Sequence, residues 1–150
     1  MNPASQQSLA SDLTALHHAG TTLALPNAWD AASACVFEAA GARAVGTSSA
    51  GIAFSRGYPD GERIPRSEMI DVVRRIVASV SIPVTVDIEA GYGESREAVL
   101  DTVRAVLDAG AVGVNLEDAP TARPGELREV GDQVGLVAAV RELAQQAGIE

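Results

Sequence analysis

Short apolar runs and longer amphipathic stretches alternate along this sequence of 150 residues, and the alternation limits the folds it can adopt. The runs are too short for helices and are bounded by glycine, proline or polar residues, which is typical of buried strands. Four strands are predicted, over Thr22–Leu25, Ala42–Thr47, Pro83–Glu89 and Val112–Asp118. Because strand–helix–strand crossovers are right-handed, the strands would be parallel and their carboxyl ends would meet at one edge. The alternation therefore predicts a parallel α/β sheet.

The stretches around these strands carry the spacing and the capping residues of helices. Asp30, Ser67 and Ser95 stand where side-chain N-caps are expected. No shift in composition divides the chain, so residues 1–150 are predicted to form a single domain. The predicted helices are a short one over about 8–18, which precedes the first strand, and four more over 31–40, 68–79, 96–109 and 132–147.

The third predicted strand ends in two carboxylates, Asp87 and Glu89, and the glycine-rich turn Ala90–Gly93 follows. Residues spaced i, i+2 on a strand point to the same face, so these carboxylates would converge and repel each other. A hard cation such as Mg²⁺ would relieve that repulsion. The alternative is that the pair marks the point where the strand reaches solvent.

Further polar residues fall at the same predicted edge, which favours a binding site over solvent exposure alone. The small, hydroxyl-rich turn Thr47–Gly51 would expose backbone N–H groups suited to a carboxylate or an oxyanion. The polar residues assigned to the edge are Asn27, Ser48, Ser49, Asp60, Asp87, Glu89 and Glu117.

The charged composition excludes several classes of function. The formal net charge of −9, from 20 acidic and 11 basic residues, argues against nucleic acid or an anionic membrane as a partner. Every basic residue is arginine, which excludes a lysine Schiff base, a pyridoxal phosphate anchor and a phosphate-loop lysine.

The single cysteine and the absence of apolar segments bear on the compartment. Cys35 cannot form an intramolecular disulfide and is expected to be a small buried thiol. No run is long and apolar enough to span a membrane, and Met1–Leu9 lacks a basic targeting segment. A cytoplasmic protein is therefore expected.

Motifs in a fixed order resemble the isocitrate lyase / phosphoenolpyruvate phosphomutase superfamily. They are Leu25–Ala31, Gly46–Gly51, Gly57–Gly61, Asp87–Gly93 and Asn115–Asp118, and together they span most of the chain. The resemblance implies a β/α barrel with Mg²⁺, or Mn²⁺ as an alternative, at its rim. It also implies an enzyme that acts on a small α-oxo or 2-hydroxy carboxylate through a metal-bound enolate, and a homo-oligomer.

The same resemblance assigns roles to residues. Asp87 resembles the residue of that family that binds the metal directly. Asp60, Glu89 and Glu117 resemble the residues that hold the water molecules of the metal. The residues implied in catalysis are Asp60, Ser48 and Ser49. Those implied in substrate binding are Asn27, Trp29, Ser48, Ser49 and Ala50.

This sequence departs from the lyase branch of that family. The loop Ala119–Leu127 has no lysine, cysteine or histidine for acid–base work, and Glu89 stands where several members have aspartate. Both departures favour the mutase-like branch over an isocitrate or methylisocitrate lyase.

A β/α barrel has eight strands, whereas this sequence supplies the first four units, a half barrel. Two hypotheses follow: an enzyme of this superfamily, which could pair with a missing second half, or a catalytically incompetent half barrel that is a truncated form or an interaction module. A doubly wound binding domain is disfavoured because Pro26–Trp29 is not a glycine-rich phosphate turn.

Overall fold

The computed structural model describes residues 3–123 and 125–149, and its centre is a sheet of four parallel strands. The strands lie side by side in the order β1, β2, β3, β4, and each pairs with the next one along the chain. Their bounds are Asn27–Ala28 for β1, Val45–Thr47 for β2, Val84–Asp87 for β3 and Gly113–Asn115 for β4. The predicted parallel α/β architecture is confirmed.

Helices connect and cover these strands, and most lie where the sequence predicts them. Asp30 caps α2 in a capping box with Ser33, and Ser95 caps α5 by accepting from the backbone N–H of Ala98. Both predicted caps are confirmed. The helices are α1 Pro3–His17, α2 Ala31–Ala39, α3 Ser49–Ser55, α4 Arg66–Ser79, α5 Arg96–Asp108 and α6 Val130–Gln146.

The first strand does not lie where it was predicted. Thr22–Leu25 has no strand structure, and β1 is the next segment, Asn27–Ala28, which pairs with Gly46 and Thr47 of β2. The leucines of the predicted strand are buried in another way, since Leu23 and Leu25 pack against the cluster formed by α1. Their apolar character therefore reflects packing under a helix rather than a place in the ladder.

One helix was not predicted, and two helix starts differ from expectation: α1 begins at Pro3 rather than at about residue 8, and α4 begins at Arg66. Residues 49–55, which include part of the predicted turn, form α3, and Ser48 caps this helix by accepting from the backbone N–H of Gly51 at 3.1 Å. Helix α4 begins at Arg66 behind Pro65, with no side-chain cap, so the prediction of Ser67 as its cap is wrong. Proline supplies the fixed φ of the position before the helix, here −57°, without a capping side chain.

The main core lies between the sheet and the helices that cover it. Val45, Val84 and Val86 of the strands are at most 3% exposed, and they pack with apolar side chains of α4 and α5 such as Ile76 and Val106. Burial of β-branched side chains on consecutive strands is typical of a parallel sheet covered by helices.

A second apolar cluster places α1 across the amino ends of the strands. Leu13 and Leu16 of α1 pack with Ala44 and Val112, which directly precede β2 and β4. The side-chain amide of Gln6 donates to the carbonyl of Ala111 at 2.9 Å. Helix α1 therefore covers the amino end of the sheet and not the carboxyl end, where the polar groups lie.

Cys35 is exposed, contrary to the expectation of a buried thiol. The buried residues of α2 are Ser33 and Ala34, so Cys35 lies beyond that buried face, and its thiol lies 3.4 Å from the carbonyl oxygen of Ser79. None of the helices in the described part of the chain combines the length and hydropathy needed to cross a bilayer.

Candidate functional site

Asp87 is the last residue of β3, and a set of donors fixes its carboxylate. Its Oδ2 accepts from the backbone N–H of Ser49 at 3.1 Å and from the Ser49 hydroxyl at 2.6 Å, and its Oδ1 accepts from the N–H of Glu89 at 3.1 Å. The backbone N–H of Asp87 donates to the hydroxyl of Thr47 at 3.0 Å. Ser49 at the start of α3 and the backbone N–H of Glu89 therefore hold this carboxylate in one orientation, and Thr47 of β2 holds the backbone of Asp87.

The two predicted serines have different surroundings at the start of α3. Ser49 is buried and donates its hydroxyl to Asp87, whereas the Ser48 hydroxyl accepts the capping bond from Gly51. Ala50, also in the first turn of α3, is half-buried. In this arrangement Ser49 supports Asp87, and Ser48 shapes the turn.

Glu89 is buried, with 5% of its surface exposed, although its side chain is charged at neutral pH in ordinary surroundings. Its Oε2 accepts from the backbone N–H of Glu62 at 2.7 Å, and its Oε1 has no hydrogen-bond partner among the described residues. The carboxylate of Glu62 in turn accepts from the N–H of Tyr92 at 2.6 Å. A buried carboxylate oxygen without a donor is unusual in a protein interior and marks a place for a ligand or a water molecule.

Backbone strain is concentrated in the same group of residues. Glu62, Glu89 and Tyr92 have φ values of 55°, 51° and 59°, and they are the non-glycine residues with positive φ in the part of the chain that the structure describes. Such conformations cost about 1 kcal/mol or more each and occur often at functional sites. The Tyr92 hydroxyl is also buried without a partner among the described residues.

The electrostatic surroundings favour a cation at this edge. Burial, reinforced by the carboxylates of Asp60, Glu62 and Asp87, raises the pKa of Glu89 to about 7, although the Glu62 N–H bond opposes that rise. Burial is also the main cause of a raised pKa at Glu117, and the same three carboxylates add to it. A bound cation would stabilise the ionised form of both groups.

A pocket of about 330 Å³, which we call the acidic pocket, brings three of the predicted residues together. Asp60, Glu89 and Glu117 line it, and the backbone N–H of Glu117 donates to the carbonyl of Glu89 at 2.7 Å. Arg63 contributes the positively charged side chain of its lining. The other lining residues are Gly61, Ala119, Pro120, Thr121 and Gly125.

The residues of this site suit a magnesium ion that keeps water molecules better than an ion enclosed entirely by protein side chains. Within residues 3–123 and 125–149 no group of three His, Cys, Asp or Glu side chains is arranged to enclose a metal. Mg²⁺ usually keeps several water molecules and uses one or two protein carboxylates, so it does not require such an enclosure. The unpartnered Oε1 of Glu89 and the oriented carboxylate of Asp87 are suitable acceptors for an ion and its waters.

Asn27 is in β1, and Trp29, just after β1, lies against Gly51 of α3. A methyl group placed on Gly46 would lie 2.9 Å from Oδ1 of Asn27, so this amide occupies the space over β2. Trp29 is 43% exposed, and its Cβ is 3.0 Å from the corresponding position on Gly51. Neither residue lines the acidic pocket.

Sequence reasoning missed the residues that hold the strand ends in place. Arg128 donates from Nη2 to the carbonyl of Ala90 at 2.6 Å and from Nη1 to the carbonyl of Glu117 at 2.8 Å, so it bridges the segments after β3 and β4. The roles of Thr47 and Glu62 were also missed. The hydroxyl at the end of β2 was a signal for Thr47, but no local pattern indicates Arg128 or Glu62, because their partners are distant in sequence.

Comparison with known proteins finds relatives over most of the chain. The family model described as phosphoenolpyruvate phosphomutase matches residues 13–150. A protein of Burkholderia cenocepacia J2315, provisionally named a phosphonomutase, has a crystal structure that is 46% identical and superposes with a TM-score of 0.88, over 93% of this chain and 56% of its own. The 2-methylisocitrate lyase of Halalkalibacterium halodurans is 34% identical over 116 residues, or 77% of this chain. A phosphonopyruvate hydrolase crystallised with oxalate and Mg²⁺ shares the fold, with a TM-score of 0.84 at 24% identity.

The chain spans about half the length of the solved relatives, 56% and 55% for these two, and 38% of the lyase. Its four parallel strands and their helices superpose on that half. The predicted fold, four units of a parallel β/α barrel, is confirmed.

Proposed function

We propose, because the chain belongs to the phosphoenolpyruvate phosphomutase family, that Mg²⁺ and a small α-oxo or 2-hydroxy carboxylate bind in the acidic pocket and at the adjoining carboxylate of Asp87, for a reaction of the lyase or phosphomutase type. Asp87 does not line the pocket, but its carboxylate accepts from the backbone N–H of Glu89, which does. The observation that carries this proposal is the buried, unpartnered Oε1 of Glu89 beside the carboxylates of Asp60, Asp87 and Glu117. Burial and mutual repulsion disfavour the ionised form of these carboxylates, and a divalent cation would offset both effects.

The residues that would hold the ion are Asp87 directly, and Glu89 and Glu117 through its waters. When bound, Mg²⁺ supplies a Lewis acid that stabilises negative charge developing on a substrate oxygen. Ser49 holds the Asp87 carboxylate from the start of α3, and Thr47 holds its backbone, so the ligand is oriented before the ion arrives. Such preorganisation lowers the reorganisation needed when the ion binds.

The remaining groups of the pocket suit a carboxylate substrate. Arg63 supplies a positive side chain in the lining, and Asp60 is a candidate to hold or move a proton. The described residues of the loop 119–127 contain no lysine, cysteine or histidine. We therefore favour a mutase-like reaction over the acid–base mechanism of an isocitrate or methylisocitrate lyase.

The second candidate function is an interaction module without catalytic activity. It is favoured by an apolar cleft of about 340 Å³ between β4, α5 and α6, which includes Val114, Leu116 and Val137. An apolar cleft beside the last strand of a sheet is suited to pairing with another copy or another segment. A chain with this function would form homo-oligomers or pair with a second half.

Oxalate binding with and without Mg²⁺ tests the proposed function. Oxalate is planar and resembles the enolate of an α-oxo acid, and it can be titrated by calorimetry. We expect saturable oxalate binding only when Mg²⁺ is present, and at least tenfold weaker binding in Asp87→Ala, because a charged ligand of the ion is lost.

The matched control is Asp71→Ala. Asp71 is an exposed aspartate that pairs with Arg74 on the surface of α4, so its loss should leave oxalate affinity unchanged. Oxalate binding that is independent of Mg²⁺, or equal in the wild type and Asp87→Ala, would contradict the proposal.

A further inference from the structure

A second charged pocket, of about 220 Å³, lies where the loop after β4 meets α5 and α6. We call it the arginine pocket, because Arg96, Arg123 and Arg128 line it in a chain whose formal net charge is −9. Arg96 and Arg123 are exposed and Arg128 is half-buried, so the guanidinium groups are accessible from solvent. The remaining lining residues are Glu94, Asp132 and Leu136.

The arginines of this pocket keep most of their hydrogen-bond donors free. A guanidinium group has five N–H donors. Arg128 makes three side-chain bonds, to the carbonyls of Ala90 and Glu117 and to the side chain of Gln133. Arg96 makes no hydrogen bond and no ion pair with the described residues, and Arg123 makes one long bond of 3.5 Å to Glu126.

Among the described residues, the one ion pair of these arginines joins Arg123 to Glu126 at 3.5 Å, so direct contacts leave most of the positive charge of the pocket unneutralised. Glu94 and Asp132 line it, but neither forms an ion pair with an arginine in the described part of the chain. The partners of Arg128 are neutral oxygens. Arg96 is also the first residue of the 13-residue helix α5, where the positive end of the helix dipole disfavours a cation. An anion would offset both unfavourable effects.

Helix α6 leaves space for the guanidinium of Arg96. A methyl group placed on Gly135 would lie 2.9 Å from Nη2 of Arg96, closer than real side-chain contacts allow. Glycine in the middle of a helix costs about 1 kcal/mol relative to alanine, and at position 135 it leaves room for the end of the Arg96 side chain. Arg96 therefore reaches α6 beside the pocket that it shares with Arg128.

We propose that the arginine pocket binds a small anion of the phosphate or carboxylate type, held by the guanidinium groups of Arg96 and Arg128 with Arg123 beside them. Guanidinium groups match the paired oxygens of these anions and form strong charge-assisted bonds with them. Because Arg128 also bridges Ala90 and Glu117, a bound anion steadies the ends of β3 and β4. The effect on metal binding rests on the proposed function, whereas the anion site itself does not.

Calorimetric titration with inorganic phosphate tests the site, in metal-free buffer at constant ionic strength. We expect saturable binding to the wild type and about tenfold or weaker affinity in Arg96→Gln, because several charge-assisted bonds are lost. Arg104→Gln is the matched control, since Arg104 lies on the same helix but is exposed and paired with Glu97 and Asp101. No saturable binding to the wild type, or equal phosphate affinity in Arg96→Gln, overturns the proposal.

Gly135→Ala provides a second variant that should fold well. The added methyl group displaces the flexible end of Arg96 and raises helix propensity, so we expect weaker phosphate binding without a lower melting temperature. Unchanged phosphate affinity in this variant would contradict the placement of the Arg96 side chain by its close approach to Gly135, whereas Arg96→Gln tests the role of Arg96 itself.

Titration of phosphate in the presence of Mg²⁺ and oxalate distinguishes two sources of the anion. An unchanged phosphate affinity supports a site for a free anion. Competition between oxalate and phosphate supports a site for an anionic group of the substrate itself. Since the first titrations use neither Mg²⁺ nor oxalate, the anion site and the proposed function fail independently.

Discussion

Glu89 combines burial, a strained backbone and an unpartnered oxygen, and its raised pKa has a consequence for stability. The pKa of about 7 in the folded protein lies above the ordinary value of 4.5, so the folded state binds a proton more tightly than the unfolded state. In the metal-free protein, stability from this group is therefore greatest below pH 4.5 and is lost as the pH rises through 7.

We expect Glu89→Gln to remove that dependence on pH. The amide is never ionised, and its carbonyl still accepts from the Glu62 N–H. Relative to the wild type, the free energy of unfolding of the variant should therefore rise by about 2–3 kcal/mol between pH 5 and pH 8. Urea unfolding of both proteins in EDTA at the two pH values measures the difference. If the difference in unfolding free energy between the variant and the wild type is the same at pH 5 and at pH 8, the Glu89 carboxylate is not destabilised in the fold.

Thr47 is the residue through which β2 supports Asp87. It is 2% exposed, and its hydroxyl accepts from the backbone N–H of Asp87 at 3.0 Å. Thr47→Val keeps the volume but leaves that N–H without a partner, so we expect a loss of about 1–3 kcal/mol in unfolding free energy. Thr47→Ser keeps the hydroxyl and serves as the control. A valine variant as stable as the wild type would show that this bond is unimportant.

The turn between β3 and α5 depends on close packing at Gly91. This residue has a φ of 104°, and a methyl group on it would lie 2.6 Å from Cγ1 of Val99. The hydroxyl of Thr102 also donates to the carbonyl of Gly91 at 2.8 Å. The turn therefore requires both a left-handed backbone and the absence of a side chain.

Gly91→Ala should reduce the free energy of unfolding by about 3 kcal/mol or more, because overpacking adds to backbone strain. Gly57→Ala separates the two effects, since Gly57 has a φ of 80° but no atom within 4 Å of the added methyl group. We expect that control to lose only about 1 kcal/mol. If urea unfolding shows equal losses of unfolding free energy in the two variants, the Val99 side chain moves aside without destabilising the fold.

Local pattern predicted five of the six helices in the described part of the chain and missed α3, and it placed the short strands less well, for physical reasons. Helix α5 has a side-chain cap and a regular apolar face, so its limits are set by nearby residues. The position of β1 depends on its register with Gly46, which lies far along the chain, and Leu25 looked like a strand residue although it packs under α1. The same limit applies to the site, because the bonds of Glu62 and Arg128 are made to distant segments.

The apolar surface near β4 favours self-association. β4 is at one edge of the sheet, and the cleft beside it is lined by apolar side chains of β4, α5 and α6. Val130, Val134 and Val137 on α6 are 78%, 63% and 50% exposed, and their spacing places them near one face of that helix. Exposed apolar surface beside an unpaired strand promotes association.

We therefore expect the wild-type chain to sediment as a dimer or larger species at concentrations of about 100 μM, and Val137→Glu to shift it towards the monomer. The introduced charge would be desolvated in any interface that uses the cleft. Val36→Glu, at a residue of α2 that is 64% exposed and does not line the cleft, is the control. A wild type that is monomeric at this concentration, or that is affected equally by both variants, would contradict this use of the cleft.

The acidic pocket and the apolar cleft share no lining residue, so their roles can be separated within one molecule. Asp87→Ala should abolish Mg²⁺-dependent oxalate binding without changing the sedimentation coefficient. Val137→Glu should change the sedimentation coefficient and keep oxalate binding if these four strand–helix units alone form the site. If Val137→Glu instead loses oxalate binding while its thermal unfolding stays cooperative, the site requires the partner that covers the cleft. That outcome would make association a condition of function and would refute a site formed within one chain.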